Sequence, residues 1–260
     1  LAAICYNAVN CRNYGTVTAS GTKVGGICAE LSALGNSADE ERGVISGCAN
    51  YGTVNADERA GGLVGELSGI MEDCYNLGTV KVSKTTVGGL VGIAYNTSSY
   101  TDKVGVFNSY HAGSVQYGSE EAEPVAGHLI GSLAGSGGNE KALGSLYYQQ
   151  VGILPAVGDY DAGDYATAMS LTAMQAPAFV DELNGYTNIS LRGVTWKQGD
   201  SESQNLPVCD SFETLKNYAC DLTGLTVNGN TALLDKSGDY YFVLPHGTDL
   251  TKKTDDTPTS

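Results

Sequence analysis

A seven-residue block recurs along the first half of this chain, and the recurrence restricts the folds open to it more than any other feature. It reads Cys11-Arg12-Asn13-Tyr14-Gly15-Thr16-Val17, then Cys48-Ala49-Asn50-Tyr51-Gly52-Thr53-Val54, then Cys74-Tyr75-Asn76-Leu77-Gly78-Thr79-Val80. Ser109-Tyr110-His111-Ala112-Gly113-Ser114-Val115 is a degenerate fourth copy, and Leu146-Tyr147-Tyr148 a partial fifth that lacks the glycine. A second block follows each of the first four: Gly25-Gly26-Ile27-Cys28-Ala29, Gly61-Gly62-Leu63-Val64-Gly65, Gly88-Gly89-Leu90-Val91-Gly92 and Ala126-Gly127-His128-Leu129-Ile130-Gly131. Successive first blocks lie 37, 26 and 35 residues apart, so loops of unequal length must leave a common repeat.

Each unit reads as strand, turn and strand. Asn followed two positions on by Gly suits a turn through left-handed backbone angles, Thr-Val restarts a strand, and the Gly-Gly pair allows a tight bend. One such unit cannot bury its apolar face, so it must stack on its neighbours. Stacking predicts ladders: Val17, Val54, Val80 and Val115; Ile27, Leu63, Leu90 and Leu129; Cys11, Cys48, Cys74 and Ser109; and an amide ladder of Asn13, Asn50 and Asn76 that His111 interrupts.

Composition agrees. Gly is abundant at 35 residues and charged residues are few at 17%, which disfavours helices, where Gly costs about 1 kcal/mol against Ala. The expected fold is all-β: a right-handed parallel β-solenoid of four to five irregular coils, its hand taken from the bias of parallel crossovers. A net charge of −15 lacks the basic footprint of a nucleic-acid binder and suits an anionic membrane surface poorly. No run approaches the roughly 20 apolar residues of a membrane helix. Leu1 opens in a strand-like pattern and residues 251–260 form a polar linker, so both ends read as cut from a longer polypeptide.

Seven cysteines lack the CxxC spacing of a zinc ribbon. Cys11, Cys48 and Cys74 read as a buried ladder of free thiols. Disulfides between neighbouring coils are the rival reading, since a strand spacing of about 4.8 Å is within disulfide reach. Buried thiols would label only after denaturation.

Gly-Leu-Val-Gly at 62–65 and 89–92, with the preceding Cys-x-Asn-x-Gly-Thr-Val, resembles the GLUG motif repeat. The resemblance covers about residues 4–150. It implies a solenoid from a secreted or surface protein of gut bacteria, of the kind also found beside bacterial immunoglobulin A peptidase domains. Its repeat residues would be Cys11, Asn13, Gly15 and Gly26; Cys48, Asn50, Gly52, Gly62 and Gly65; Cys74, Asn76, Gly78, Gly89 and Gly92; and Gly113 and Gly131. Ala29 and His128 depart from the pattern, so those coils should be less regular or nearer the ends.

The solenoid is expected over residues 1–164. Residues 165–210 read as a capping segment with one helix over 170–184, capped by Ser170 or Thr172, followed by Val194-Thr195-Trp196 and Leu206-Pro207-Val208 strands. A helix ending in Leu-Asn, a Trp strand and a Pro-containing strand resembles the closing segment of GLUG-type repeats. Residues 211–250 resemble part of a cadherin-like or immunoglobulin-like β-sandwich, with strands at 222–229 and 239–245.

Catalytic signatures are sparse. The three histidines, His111, His128 and His246, form no HExxH, and no GxSxG marks a nucleophile. His111 and His128 fall at repeat positions, where stacking explains them. Acidic clusters at Asp39-Glu40-Glu41, Asp57-Glu58, Glu72-Asp73 and Glu120-Glu121-Glu123 read as loop charge. Asp159, Asp161 and Asp164 alternate with a glycine nearby and are the best calcium candidate, with no other cofactor indicated. Tyr6, Tyr14, Tyr51, Tyr75 and Tyr110 lie near the turns, either packed between coils or facing out toward a sugar or a protein. The expected function is a non-catalytic adhesion or structural module, acting as a monomer, outside a bacterial cell and toward a host or cell-surface protein or glycan. The alternative is a carbohydrate-binding or polysaccharide-degrading β-helix.

Overall fold

The computed structural model describes residues 2–32, 43–95, 105–118, 124–135, 142–186 and 194–210, with four two-residue strands beyond. It divides into two units, Leu1–Leu215 and Lys216–Ser260.

The first unit is all-β and its repeats are paired in parallel. One sheet takes Ala2–Cys5, Cys28–Leu31, Val64–Leu67, Val91–Tyr95 and Ile130–Ala134 in chain order. A second takes Val24–Gly25, Arg59–Gly61, Thr86–Gly88 and Val125–Gly127, and a third Val17–Ala19, Val54–Ala56, Thr79–Val82 and Ser114–Tyr117. The largest carries the Cys-x-Asn segments. There Gly105–His111 pairs along its length with Leu143–Gln149, which pairs in turn with Ala166–Met169. Each of the first four repeats therefore adds one rung to every sheet, and the fifth adds a strand to the largest alone. The degenerate fourth and partial fifth copies both belong: Ser109 sits beside Leu146 and His111 beside Tyr148.

The expected ladders are in register. Val54 pairs with Val17 and Val80, and Val80 with Val115. Ile27 N donates to Leu63 O, Leu63 N to Leu90 O and Leu90 N to Leu129 O, at 2.8–2.9 Å. Leu63, Leu90 and Leu129 are fully buried in the largest core cluster.

Two local assignments differ from expectation. The left-handed turn residue is the one before each Cys position: Asn10, Gly47, Asp73, Asn108 and Ser145 have φ between 41° and 60°. It recurs once per rung in residues that tolerate or only weakly resist that region. The glycine after Asn serves close approach instead. A Cβ on Gly78 would lie 1.9 Å from Gly52 O, and one on Gly52 1.9 Å from Gly15 O. The acidic pair Glu72-Asp73 is not loop charge: both residues are buried, at 1% and 3% exposure. The clusters at 39–41 and 120–123 lie outside the described residues.

The segment after the rungs also differs. Pro177 splits the expected helix into α1, Leu171–Met174, and α2, Pro177–Asn184, because proline fits the first turn of a helix and not its interior. Ser170 caps α1, its Oγ accepting from Ala173 N at 3.2 Å. Ala166–Met169 does cover the edge of the last rung. The helices and the Thr195–Lys197/Val208–Asp210 hairpin do not sit on that end. They run back along the flank, packing Met174, Phe179, Leu183, Trp196 and Leu206 against Ala49, Tyr75, Tyr110 and Tyr147 of four successive rungs.

Residues 216–260 contain two antiparallel pairs, Thr226–Val227 with Asn230–Thr231 and Leu233–Leu234 with Tyr240–Tyr241. Most of the expected 222–229 and 239–245 strands lie outside the described residues.

Gly78→Ala should lower the unfolding free energy by about 1–3 kcal/mol, because backbone must move to admit the methyl group. Gly21→Ala, where a Cβ meets nothing within 4 Å, should change it by less than about 0.5 kcal/mol. Denaturant midpoints measure both, and equal effects would contradict the close-approach role.

Candidate functional site

Two faces of the repeat sheet carry its chemistry, one inward and one outward. Inward, the cysteines and asparagines form hydrogen-bonded ladders. Cys11 N donates to Cys48 Sγ at 3.3 Å, Cys48 N to Cys74 Sγ at 3.4 Å and Cys74 N to Ser109 Oγ at 3.0 Å. Asn13 Nδ2 donates to Asn50 Oδ1 at 2.7 Å, and Asn50 Nδ2 to Asn76 Oδ1 at 2.8 Å. His111 does not interrupt this ladder. Its Nδ1 lies 3.1 Å from Asn76 Nδ2 and takes the next amide's place. The second glycine of each Gly-Gly pair makes the room: a Cβ on Gly62 would lie 2.3 Å from Asn76 Nδ2, and one on Gly89 2.4 Å from the His111 ring.

The described cysteines, Cys5, Cys11, Cys28, Cys48, Cys74 and Cys209, are free thiols. Cys48 and Cys74 are fully buried, and burial pushes the Cys74 thiol well above its usual range. Cys11, expected to be buried, is exposed, and the Arg12–Asn13 strand beside it is the outermost of its sheet among the described residues.

Outward, tyrosines from adjacent ladder positions make a column. Tyr14 stacks on Tyr51 at 4.7 Å, Tyr51 meets Tyr75 edge-on at 5.9 Å, and Tyr75 stacks on Tyr110 at 5.3 Å. Trp196 lies 5.8 Å from Tyr75 and 5.7 Å from Tyr110, so the flanking segment buries the column over the later rungs. Polar bonds fix it there. Trp196 Nε1 and Asn108 Nδ2 both donate to Asp73 Oδ1, Tyr110 Oη donates to Pro207 O, and Arg12 Nη2 donates to Cys209 O. Asn184 Oδ1 accepts from Trp196 N at 2.8 Å, and its Nδ2 donates to Trp196 O at 2.9 Å.

Where the hairpin ends, the column emerges into a groove of about 340 Å³ lined by Arg12, Tyr51, Tyr75, Lys197, Asp200 and Glu202. The Arg12 guanidinium lies 5.7 Å from the Tyr75 ring centroid, a cation–π contact, and also donates to Gly47 O. Tyr51 and Tyr75 hydroxyls are 2.7 Å apart. The groove thus offers aromatic edges, hydroxyls and charges of both signs.

A second cluster went unnoticed in the sequence. Glu30 and Glu66 are register partners on the outer face of the five-stranded sheet. Lys23 Nζ bridges them at 2.8 Å each, and Arg59 Nη1 reaches Glu66 at 3.2 Å. The bonds to Glu30 and then Glu66 hold the Lys23 ammonium above its usual range. Aligning the second blocks would have found the pair, since Glu30 and Glu66 each fall two residues after the paired Cys28 and Val64.

The calcium candidates are not brought together. Asp159 accepts from Ser132 Oγ at 2.5 Å and Leu133 N at 2.8 Å, while Asp161 accepts from Gly163 N at 3.0 Å. No group of three or more His, Cys, Asp or Glu side chains placed to hold a metal occurs among the described residues.

His111 and His128 are buried, and each leaves its Nε2 without a hydrogen-bond partner. Burial first, and then the neighbouring His128, pushes the His111 imidazole down to about 3. Burial lowers His128 as well. An unfolded chain takes up a proton near the usual imidazole value of about 6.5, whereas folded His111 refuses it until far lower pH. Stability from this source is therefore complete above about 6.5 and is lost as pH falls toward 3. His111→Asn, which restores an amide to the ladder, should remove that loss. Denaturant titration should find the variant gaining on the parent as pH drops, and a pH-independent difference would contradict this account.

Comparison with family models, with curated proteins and with solved structures finds no match for this chain.

Proposed function

We propose that the chain is a non-catalytic scaffold or adhesion module of a bacterial extracellular protein, built as a right-handed parallel β-solenoid of GLUG-type repeats. One observation carries this reading: the residues that distinguish the repeats are used in stacking. The cysteines and asparagines bond along the stack, and the glycines admit neighbouring backbone and the amide ladder. A stack spends its side chains on reach and rigidity and leaves recognition to loops and flanks. Among the described residues no helix is long and apolar enough to cross a membrane.

The groove at Arg12, Tyr51 and Tyr75 favours one second reading, a carbohydrate-binding role. Tyrosine rings with hydroxyls and mixed charges beside them suit a neutral glycan, whose ring faces are apolar and whose rims need hydrogen bonds. The Glu30–Glu66 pair resembles the two carboxylates of a glycosidase, but both are engaged by Lys23 and Arg59.

A glycan array and a polysaccharide-degradation assay on the purified chain separate these roles. The scaffold reading expects no turnover of any polysaccharide. Binding without turnover, abolished by Tyr51→Ala, would establish the lectin-like reading, and turnover would overturn both.

A further inference from the structure

The two ends of the stack differ. Beyond the fourth rung, His128 N and Leu129 N donate to Pro155 O and Ala156 O, Ile130 bridges to Val157, and Ala166–Met169 pairs with Leu143–Gln149. That end is covered in the two largest sheets. At the other end, the outer edges of Ala2–Cys5, Asn7–Val9, Arg12–Asn13, Val17–Ala19 and Val24–Gly25 pair with no strand among the described residues. Unpaired strand edges are templates for further pairing.

The side chains on this open face are left half-used in a consistent way. Asn76 Oδ1 accepts two bonds, from Asn50 Nδ2 and from Gly78 N. Asn13 Oδ1 accepts only from Gly15 N, so one acceptor position of its amide oxygen is unfilled. Cys48 Sγ and Cys74 Sγ each accept a backbone N–H from the rung before, whereas Cys11 Sγ only donates, to Val9 O at 3.6 Å. Tyr14 covers one face of Tyr51 and is itself 66% exposed. Inside the rim a cavity of about 450 Å³ opens onto Cys5, Ala8, Cys11, Asn13 and Ile27. Cys48 and Leu63, the next members of the Cys11 and Ile27 ladders, are fully buried.

We propose that the outer face of the first rung is a docking surface for a further β-rung of the same repeat chemistry, entering parallel and in register, with an Asn over Asn13 and a Cys or Ser over Cys11. The inference rests on the stacked reading above. Continuity with the interface between the first two rungs selects this occupant, because an incoming Asn Nδ2 and a backbone N–H would fill the two acceptors left at Asn13 and Cys11. Two copies meeting face to face are selected against. Both Asn13 Nδ2 hydrogens are already given, to Gly15 O and Asn50 Oδ1, so a second Asn13 would set acceptor against acceptor.

The test uses the full chain and a peptide of residues 43–62 carrying Cys48→Ser, which ends before the strand position that Ala2–Cys5 already fills, with Cys11 alkylation followed by peptide mapping. Cys11 should label quickly in the free protein, and the peptide should slow it saturably by about tenfold or more, as expected for a thiol reached only through opening. An Asn50→Leu version of the peptide should protect at least tenfold more weakly, and a scrambled peptide not at all. Unchanged labelling at millimolar peptide, or equal protection by the scrambled peptide, overturns the proposal. A free peptide must order itself on binding, so a second arm joins residues 43–63 covalently ahead of Ala2, which stands one rung before Cys28 as Cys28 stands before Val64. That fusion should raise Tm and bury Cys11, and failure of both overturns the proposal independently. Sedimentation showing a dimer that protects Cys11 without peptide would also overturn it, by making a second copy the occupant. Cys48 and Cys74 report on the stacking separately. If they label as fast as Cys11 in the free protein, the stacked reading fails; if they stay protected while the peptide has no effect, only the docking fails.

Discussion

A buried amide ladder sets the terms for the rest of this structure. Asn13, Asn50 and Asn76 sit inside the repeats, where an unpaired amide would cost about 1–3 kcal/mol. Their partners are the matching side chain one rung away, backbone of their own turn and, for Asn76, Gly89 O as well. That requirement fixes register, because a slip of one residue would turn every amide outward and every outward tyrosine inward. It also fixes spacing. The rungs must approach closely enough for amide-to-amide bonds of 2.7–2.8 Å, and glycine at 26, 62 and 89 is what leaves the volume.

The cysteine ladder is the same device in weaker form. A thiol accepts a backbone N–H poorly, yet Cys48 and Cys74 each do so at a fully buried site. Ser109 takes the position one rung later with a shorter bond of 3.0 Å. The site therefore calls for a small side chain with an acceptor, and Leu146 appears there only at the fifth rung, where a different segment covers the strand. His111 solves the corresponding problem at the amide position, with a ring nitrogen in place of an amide oxygen, and as a consequence carries a buried base.

The flanking segment answers a different need. Outward tyrosines one rung apart form an apolar strip that water would meet along its whole length. α2 and the Trp196 hairpin cover the strip where it is most aromatic, and Asp73 ties them down by accepting from both Trp196 and Asn108. Asp73 can do so because it occupies the left-handed turn before Cys74. The cover stops short of Tyr14, and the groove at Arg12 and Tyr51 is the boundary between its edge and the bare column.

By itself the sequence determined the repeat, its parallel all-β character and the membership of each ladder. These follow from spacing and residue type, since stacked units must place like residues over like. It left the cysteines open between buried free thiols and disulfides joining neighbouring coils, and the structure shows free thiols at the described positions. Only the tertiary structure decided where the segment after residue 165 lies, because a helix and a hairpin with apolar faces fit either the end or the flank of a stack. The choice depends on contacts such as Tyr110 with Pro207 and Arg12 with Cys209, which are 97 and 197 residues apart and leave no periodic trace. The same holds for the left-handed turns, placed one residue before each Cys rather than at Asn-x-Gly. Both positions carry turn-forming residues, and packing between rungs, not local preference, assigned close approach to one and positive φ to the other.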